Sequence, residues 1–116
     1  MTAAASISGF PMDKFLFLGF PPTKRKREKF FREIADSKYT VVFYESPHRI
    51  LKTLKQLQLH EKGDRLIHKY KEIVVCRELT KKFETVYRGK VEQIIKELES
   101  DKNNLRGEFV VIVKNE

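Results

Sequence analysis

The feature that most constrains this chain is an alternation of two hydrophobic periods. Short continuous apolar runs, the mark of buried strands, alternate with stretches whose apolar residues recur every three and four positions, the mark of helices. Phe15–Phe20 is the first run, and Pro21-Pro22 closes it because neither proline can donate to a strand ladder. Thr23 is placed to cap a helix over Lys24–Ser37, with Phe30, Phe31, Ile34 and Ala35 as its apolar stripe. Tyr39–Glu45 is β-branched and aromatic throughout and reads as a second, central strand. Ser46-Pro47 marks the next helix start, and Ile50, Leu51, Leu54 and Leu57 carry its spacing toward His60–Asp64, where Gly63 stops it. Glu72–Leu79 and Glu84–Arg88 are the third and fourth strands. Val91, Ile94, Ile95 and Leu98 then define a third helix, Ser100–Asn104 a polar loop, and Glu108–Lys114 the last strand. The order β-α-β-α-β-β-α-β predicts an α/β domain with a mixed five-stranded sheet flanked by helices. The sheet is expected to be mostly parallel, with one antiparallel hairpin.

At 116 residues the chain is one domain's worth of sequence. Twenty-four Lys and Arg against sixteen Asp and Glu give a net charge of +8, which points to a polyanionic partner, nucleic acid first. The surplus is uneven: residues 1–88 hold nineteen basic and ten acidic side chains, the remainder five and six. A single cysteine, Cys76, cannot form an intrachain disulfide and suits a reducing compartment, so a cytoplasmic location is expected. No apolar run approaches the roughly 18 residues of a membrane helix, so no membrane partner is expected. Neither glycine-rich phosphate motif occurs, Ser46 lacks the surroundings of a nucleophile elbow, and His48, His60, His68 and Cys76 do not fall at zinc spacings. These absences set aside a self-contained Rossmann or P-loop site, a serine hydrolase and a metal centre.

Three polar constellations remain. Glu45-Ser46-Pro47-His48-Arg49 follows a strand and opens a helix, where open α/β sheets place ligands; capping alone is the plain alternative. Arg77–Glu84 is dense in charge after an apolar strand, and a solvated hairpin loop, for which such charge is ordinary, is the slightly favoured reading of these residues alone. Leu105-Arg106-Gly107-Glu108-Phe109 leads into the last strand with a glycine free to take a positive φ. The run Lys24-Arg25-Lys26-Arg27-Glu28-Lys29 is either a solvated face or a phosphate contact. Cations at a helix start oppose its dipole at a cost of some tenths of a kcal/mol each, which suggests another use for them.

Taken in order, Gly19-Phe20-Pro21-Pro22, Phe43–Arg49, Arg77–Glu84, Arg88-Gly89 and Leu105–Val111 resemble the C-terminal domain of the bacterial small-subunit ribosomal RNA cytidine 2′-O-methyltransferases, members of the tetrapyrrole-methylase-like fold. The resemblance runs over Ser8–Lys114. It departs at Pro21, where the family commonly has leucine. It implies that residues 1–12 end an interdomain segment, that 13–116 form the C-terminal α/β domain, and that the N-terminal domain, which shares S-adenosylmethionine (SAM) across a cleft, is absent from this chain. It also implies ribosomal RNA or the small subunit as partner, a homodimer, and little activity for this chain alone. The cofactor walls would come from Tyr44, Glu45, Arg77, Glu78, Leu79, Thr80, Gly107, Glu108 and Phe109. Lys24, Arg25, Lys26, Arg27, Arg49, Lys81 and Lys82 would meet RNA phosphate. Glu45, His48, Glu78 and Lys81 are the candidates to accept the hydroxyl proton or orient its oxygen; the sequence does not choose among them, and a base in the absent domain is an equal alternative. The competing reading is a basic RNA-binding or dimerisation module without catalysis.

Overall fold

The computed structural model describes residues 14–63, 70–79 and 82–115. Its elements are β1 (Phe15–Gly19), α1 (Arg27–Asp36), β2 (Thr40–Glu45), α2 (Ile50–Gly63), β3 (Tyr70–Leu79), β4 (Lys82–Gly89), α3 (Val91–Glu99), a 3₁₀ turn (Lys102–Leu105) and β5 (Glu108–Asn115). This is the order expected from the periods, with the 3₁₀ turn inside the anticipated polar loop. Residues 1–13, including the expected interdomain segment, lie outside the described residues.

The five strands form one mixed sheet in the order β1-β2-β5-β3-β4. The expectation of a mostly parallel sheet is corrected: only β1 and β2 pair in parallel, and β2–β5, β5–β3 and β3–β4 are all antiparallel. The reason is propagation of polarity. A helical crossover preserves strand direction, so β1, β2 and β3 run the same way; the β3–β4 hairpin reverses it, and the crossover through α3 hands the reversed direction to β5. β5 then fills the gap between β2 and β3, so it, and not β2, is the central strand.

The first helix also differs from expectation. It starts at Arg27, not Lys24, and its cap is Lys26 in the left-handed region at φ 67°, not Thr23. That conformation costs a non-glycine residue roughly 1–2 kcal/mol. The second helix also starts later than Ser46-Pro47 indicated, at Ile50: Pro47–Arg49 form a turn in which the Ser46 carbonyl accepts from the Arg49 and Ile50 N–H groups at 3.1 and 3.0 Å, and Pro47 has no N–H to satisfy there.

All three helices pack on one face of the sheet. Phe30, Phe31 and Ile34 of α1, Ile50, Leu54 and Leu57 of α2, and Val91, Ile94 and Leu98 of α3 bury against Val41, Phe43, Ile73, Val75, Phe109 and Val111. Each such side chain stabilises the fold by about 1.5–3 kcal/mol through apolar burial. Phe30 meets Phe31 and Phe43 edge-on, at 5.5 and 5.4 Å between centroids, the arrangement the ring quadrupoles favour. Alternate residues of the central strands, Val42, Val74, Cys76, Val110 and Ile112, form a second buried cluster on the opposite face, flanked by Phe15 and Tyr44. Burial there pushes the Cys76 thiol up to about 11, partly offset by Arg88, so the thiol is protonated and inert at neutral pH.

Candidate functional site

The polarity of the sheet decides where the sequence constellations go. Because β1, β2 and β3 run against β4 and β5, the carboxyl ends of the first three share an edge with the amino ends of the other two. Glu45 stands opposite Phe109, Phe109 opposite Arg77, Glu78 opposite Glu108, and Leu79 opposite Lys82, while Gly19 lies beside Phe43. Segments from the two ends of the chain are thus neighbours on one edge. Two glycines turn the chain there, Gly19 at φ +70° and Gly107 at φ +82°, a conformation that L side chains rarely adopt. A Cβ built at Gly19 meets nothing within 4 Å, so the edge is open at that point. Glu78 and Glu108 face each other across the ladder, a like-charge pairing that costs stability and is tolerated here.

Behind this edge lies a buried polar network. Glu45 is only 2% exposed; its Oε1 accepts from the Ser46 N–H at 2.8 Å and its Oε2 from the Thr53 hydroxyl at 2.5 Å. Arg27 is 7% exposed, donating from Nη2 to Thr53 Oγ1 at 2.9 Å, from Nη1 to the Pro22 carbonyl at 2.9 Å and from Nε to Gln56 Oε1 at 2.5 Å. Its guanidinium also lies 5.1 Å from the centroid of the Phe31 ring. Burial lowers the Arg27 pKa, and the Glu45 carboxylate opposes that shift by favouring the charged form. Arg27, expected among the phosphate contacts, is thus withdrawn from the surface, and Glu45, expected as a candidate proton acceptor, is buried with both oxygens engaged where β2 turns toward α2.

Other expected site residues divide similarly. Lys24, Arg25, Lys26, His48 and Arg49 are exposed, and Glu108 is exposed at the start of β5. Ion pairs between described side chains join Arg32 to Glu28, Lys55 to Glu99 and Arg88 to Glu72, none involving the Lys24–Lys26 run. Arg77 is half-buried and donates from Nη1 to the Asn103 carbonyl at 2.8 Å and from Nη2 to Thr85 Oγ1 at 3.0 Å. It thereby ties the hairpin to the 3₁₀ turn that leads into Gly107, a positioning role. Thr80 and Lys81 lie outside the described residues, as do the side chains of Leu79 and Lys82. Tyr44 is half-buried, with the rings of Phe17 and Phe20 at 5.2 and 5.5 Å.

Sequence reasoning missed Thr53, Gln56, Thr85 and Asn103, whose roles exist only through tertiary partners. The burial of Arg27 did have a signal. Arg27, Phe30, Phe31 and Ile34 fall at i, i+3, i+4 and i+7, which places the arginine on the apolar stripe. Among the described residues no three His, Cys, Asp or Glu side chains form a group able to hold a metal ion, and no helix is long and apolar enough to cross a membrane.

The pattern of the tetrapyrrole (corrin/porphyrin) methylases matches residues 1–95. The chain belongs to that family. Its relatives include the Vibrio cholerae protein named ribosomal RNA small subunit methyltransferase I, 41% identical over 111 residues that make up 95% of this chain and 36% of that protein. The protein of the same name from Thermotoga maritima is 36% identical over 97% of this chain and 47% of its own length. The chain thus spans less than half the length of these relatives. Among solved structures, the methyltransferase CobJ superposes with a TM-score of 0.61 at 20% identity, covering 99% of this chain and 47% of that one. Cobalt precorrin-4 methyltransferase, CbiF, gives 0.59 at 16% identity, covering 97% and 46%. These structures share the mixed five-stranded α/β fold of this tetrapyrrole methylase chain.

Proposed function

We propose that this chain is the carboxyl-terminal half of a SAM-dependent methyltransferase that modifies the 2′-hydroxyl of a cytidine in small-subunit ribosomal RNA, working as a cytoplasmic homodimer. The observation that carries the reading is the convergence of Gly19, Glu45, Arg77–Leu79 and Gly107–Phe109 on one open sheet edge. Its support is that the relatives, at 36 and 41% identity, are named for methylating small-subunit rRNA.

The residues present fit one wall of a SAM site. Tyr44 offers a half-buried ring, and the backbone at Gly107 and Glu108 offers hydrogen-bonding groups at a turn where Gly107 carries no side chain. SAM, when bound, supplies a sulfonium-activated methyl group. The chain's own task is then positioning, which contributes up to about 7–11 kcal/mol in well-oriented reactions. Glu45 and Arg27 hold the turns at Pro22 and Ser46, Arg77 holds the approach to Gly107, and the Lys24–Lys26 run and Arg49 meet the RNA backbone. Proton acceptance falls to His48, Glu78 or Lys81, or to a group of the amino-terminal domain, since Glu45 is sealed.

Isothermal calorimetry tests this reading against an RNA-binding module without catalysis. The 116-residue chain is expected to bind SAM weakly or not at all. The same chain joined to the unmatched portion of the Vibrio relative is expected to bind it with one site per chain. A folded fusion with no SAM binding would favour the non-catalytic module.

A further inference from the structure

We infer that Phe20, backed by Tyr44 and Phe17, is a stacking platform for unpaired bases of an RNA strand whose phosphates lie along Lys24, Arg25 and Lys26. The inference rests on the reading that RNA is the substrate and assigns the part of the RNA this surface takes. Phe20 is 58% exposed and Phe17 43% exposed, and Tyr44 stands between them with centroids at 5.5 and 5.2 Å. Among the described residues the other exposed large apolar side chains, Tyr39, Leu59 and Val86, are spread over other parts of the chain, so there the clustered exposed rings are those at the β1 end.

Phe20 is not on a frayed segment. Pro21 beside it is buried, and the Pro22 carbonyl accepts from the interior guanidinium of Arg27, so the ring is presented from a fixed loop. The same loop carries the three exposed cations. Four residues of extended chain span at most about 14 Å, so Lys24 lies within a few nucleotides' reach of the ring. Glu28, the acid nearest in sequence, is paired with Arg32 at 3.3 Å.

The combination selects the ligand. Protein interfaces deplete lysine at their cores, whereas a ring beside a row of cations is the arrangement by which single strands are held: backbone charge on the cations, a base face on the ring. Duplex RNA is disfavoured because its base faces are already stacked.

The chain contains no tryptophan, so Phe20→Trp installs a single fluorophore at the site. A short single-stranded RNA is expected to quench its emission, and the same sequence annealed as a duplex to leave it nearly unchanged. Phe20→Ala should weaken single-strand binding by about 5- to 150-fold, the range for loss of one stacked base, without altering the salt dependence. Wild-type affinity in Phe20→Ala, with RNA still bound in a salt-dependent way, would overturn the platform and leave the RNA reading standing. Absence of RNA binding by the wild-type chain would overturn both. Concentration-dependent shielding of the introduced indole without RNA would assign the patch to contact between copies of the chain and overturn the platform.

Discussion

Replacing Arg27 with methionine is expected to lower the unfolding free energy by about 3–5 kcal/mol, the cost of leaving a buried charge without its partner. Methionine retains the apolar stem against Phe31 and removes the guanidinium. Three acceptors then lose their donor: the Pro22 carbonyl, Gln56 Oε1 and Thr53 Oγ1. The Glu45 carboxylate, 2% exposed, is left without the nearby guanidinium charge. Domains of this size are stable by only about 5–15 kcal/mol, so the loss is a large fraction of the total. Glu45→Gln should also destabilise. The double variant should lose about 1–3 kcal/mol less than the two single losses added together, because each single change strands the other's charge. Urea denaturation at neutral pH with an unchanged slope is the measurement. A loss under about 1 kcal/mol for Arg27→Met would mean that the guanidinium is solvated and the network is not a structural element.

The second large effect concerns the exposed cations. Replacing Lys24, Arg25 and Lys26 together with alanine is expected to flatten the salt dependence of single-stranded RNA binding by about 2 in log–log slope, three contacts at about 0.7 each. Extrapolated from 1 M to 0.1 M salt, that slope corresponds to a loss of about 100-fold in affinity. Arg27 is left in place, since its removal would perturb the fold and confound the result. Melting curves of the triple variant should stay close to wild type, because all three side chains are exposed. An unchanged salt slope would return the run to an ordinary solvated surface.

The sequence made the elements of this fold legible because their signals are local. Apolar runs at Phe15–Phe20 and Tyr39–Glu45, the Ser46-Pro47 start and the Val91–Leu98 stripe are each contained in a short window of chain. Polarity was not local. Whether β5 runs with or against β2 depends on a hairpin that precedes it by a whole helix, and the default for alternating strands and helices misjudged it. The start of α1 failed for a related reason: Thr23 has the chemistry of a cap, but Pro22 and Arg27 fix the loop so that the helix turns in at Lys26.

The site was legible as a set of segments but not as roles. Strand ends could be singled out as candidates, and the sheet gathers them on one edge. Which charged groups are free there depends on burial and tertiary partners. Glu45 and Arg27 look like surface chemistry in a linear reading, yet they satisfy each other through Thr53, which sits eight residues beyond Glu45 and carries no motif. Phe20 shows the converse: it ends an apolar run that reads as core, and it faces solvent.

The central claim, that the chain is the carboxyl-terminal half of a small-subunit rRNA ribose methyltransferase, is tested most directly by methyl transfer. The chain, alone and fused behind the unmatched portion of the Vibrio relative, would be incubated with methyl-labelled SAM and small subunits lacking the modification. The relative itself would serve as the positive control. The account predicts label in a cytidine 2′-O-methyl group with the fusion and none with the chain alone. A folded fusion that leaves the RNA unlabelled, or robust labelling by the 116-residue chain alone, would contradict it.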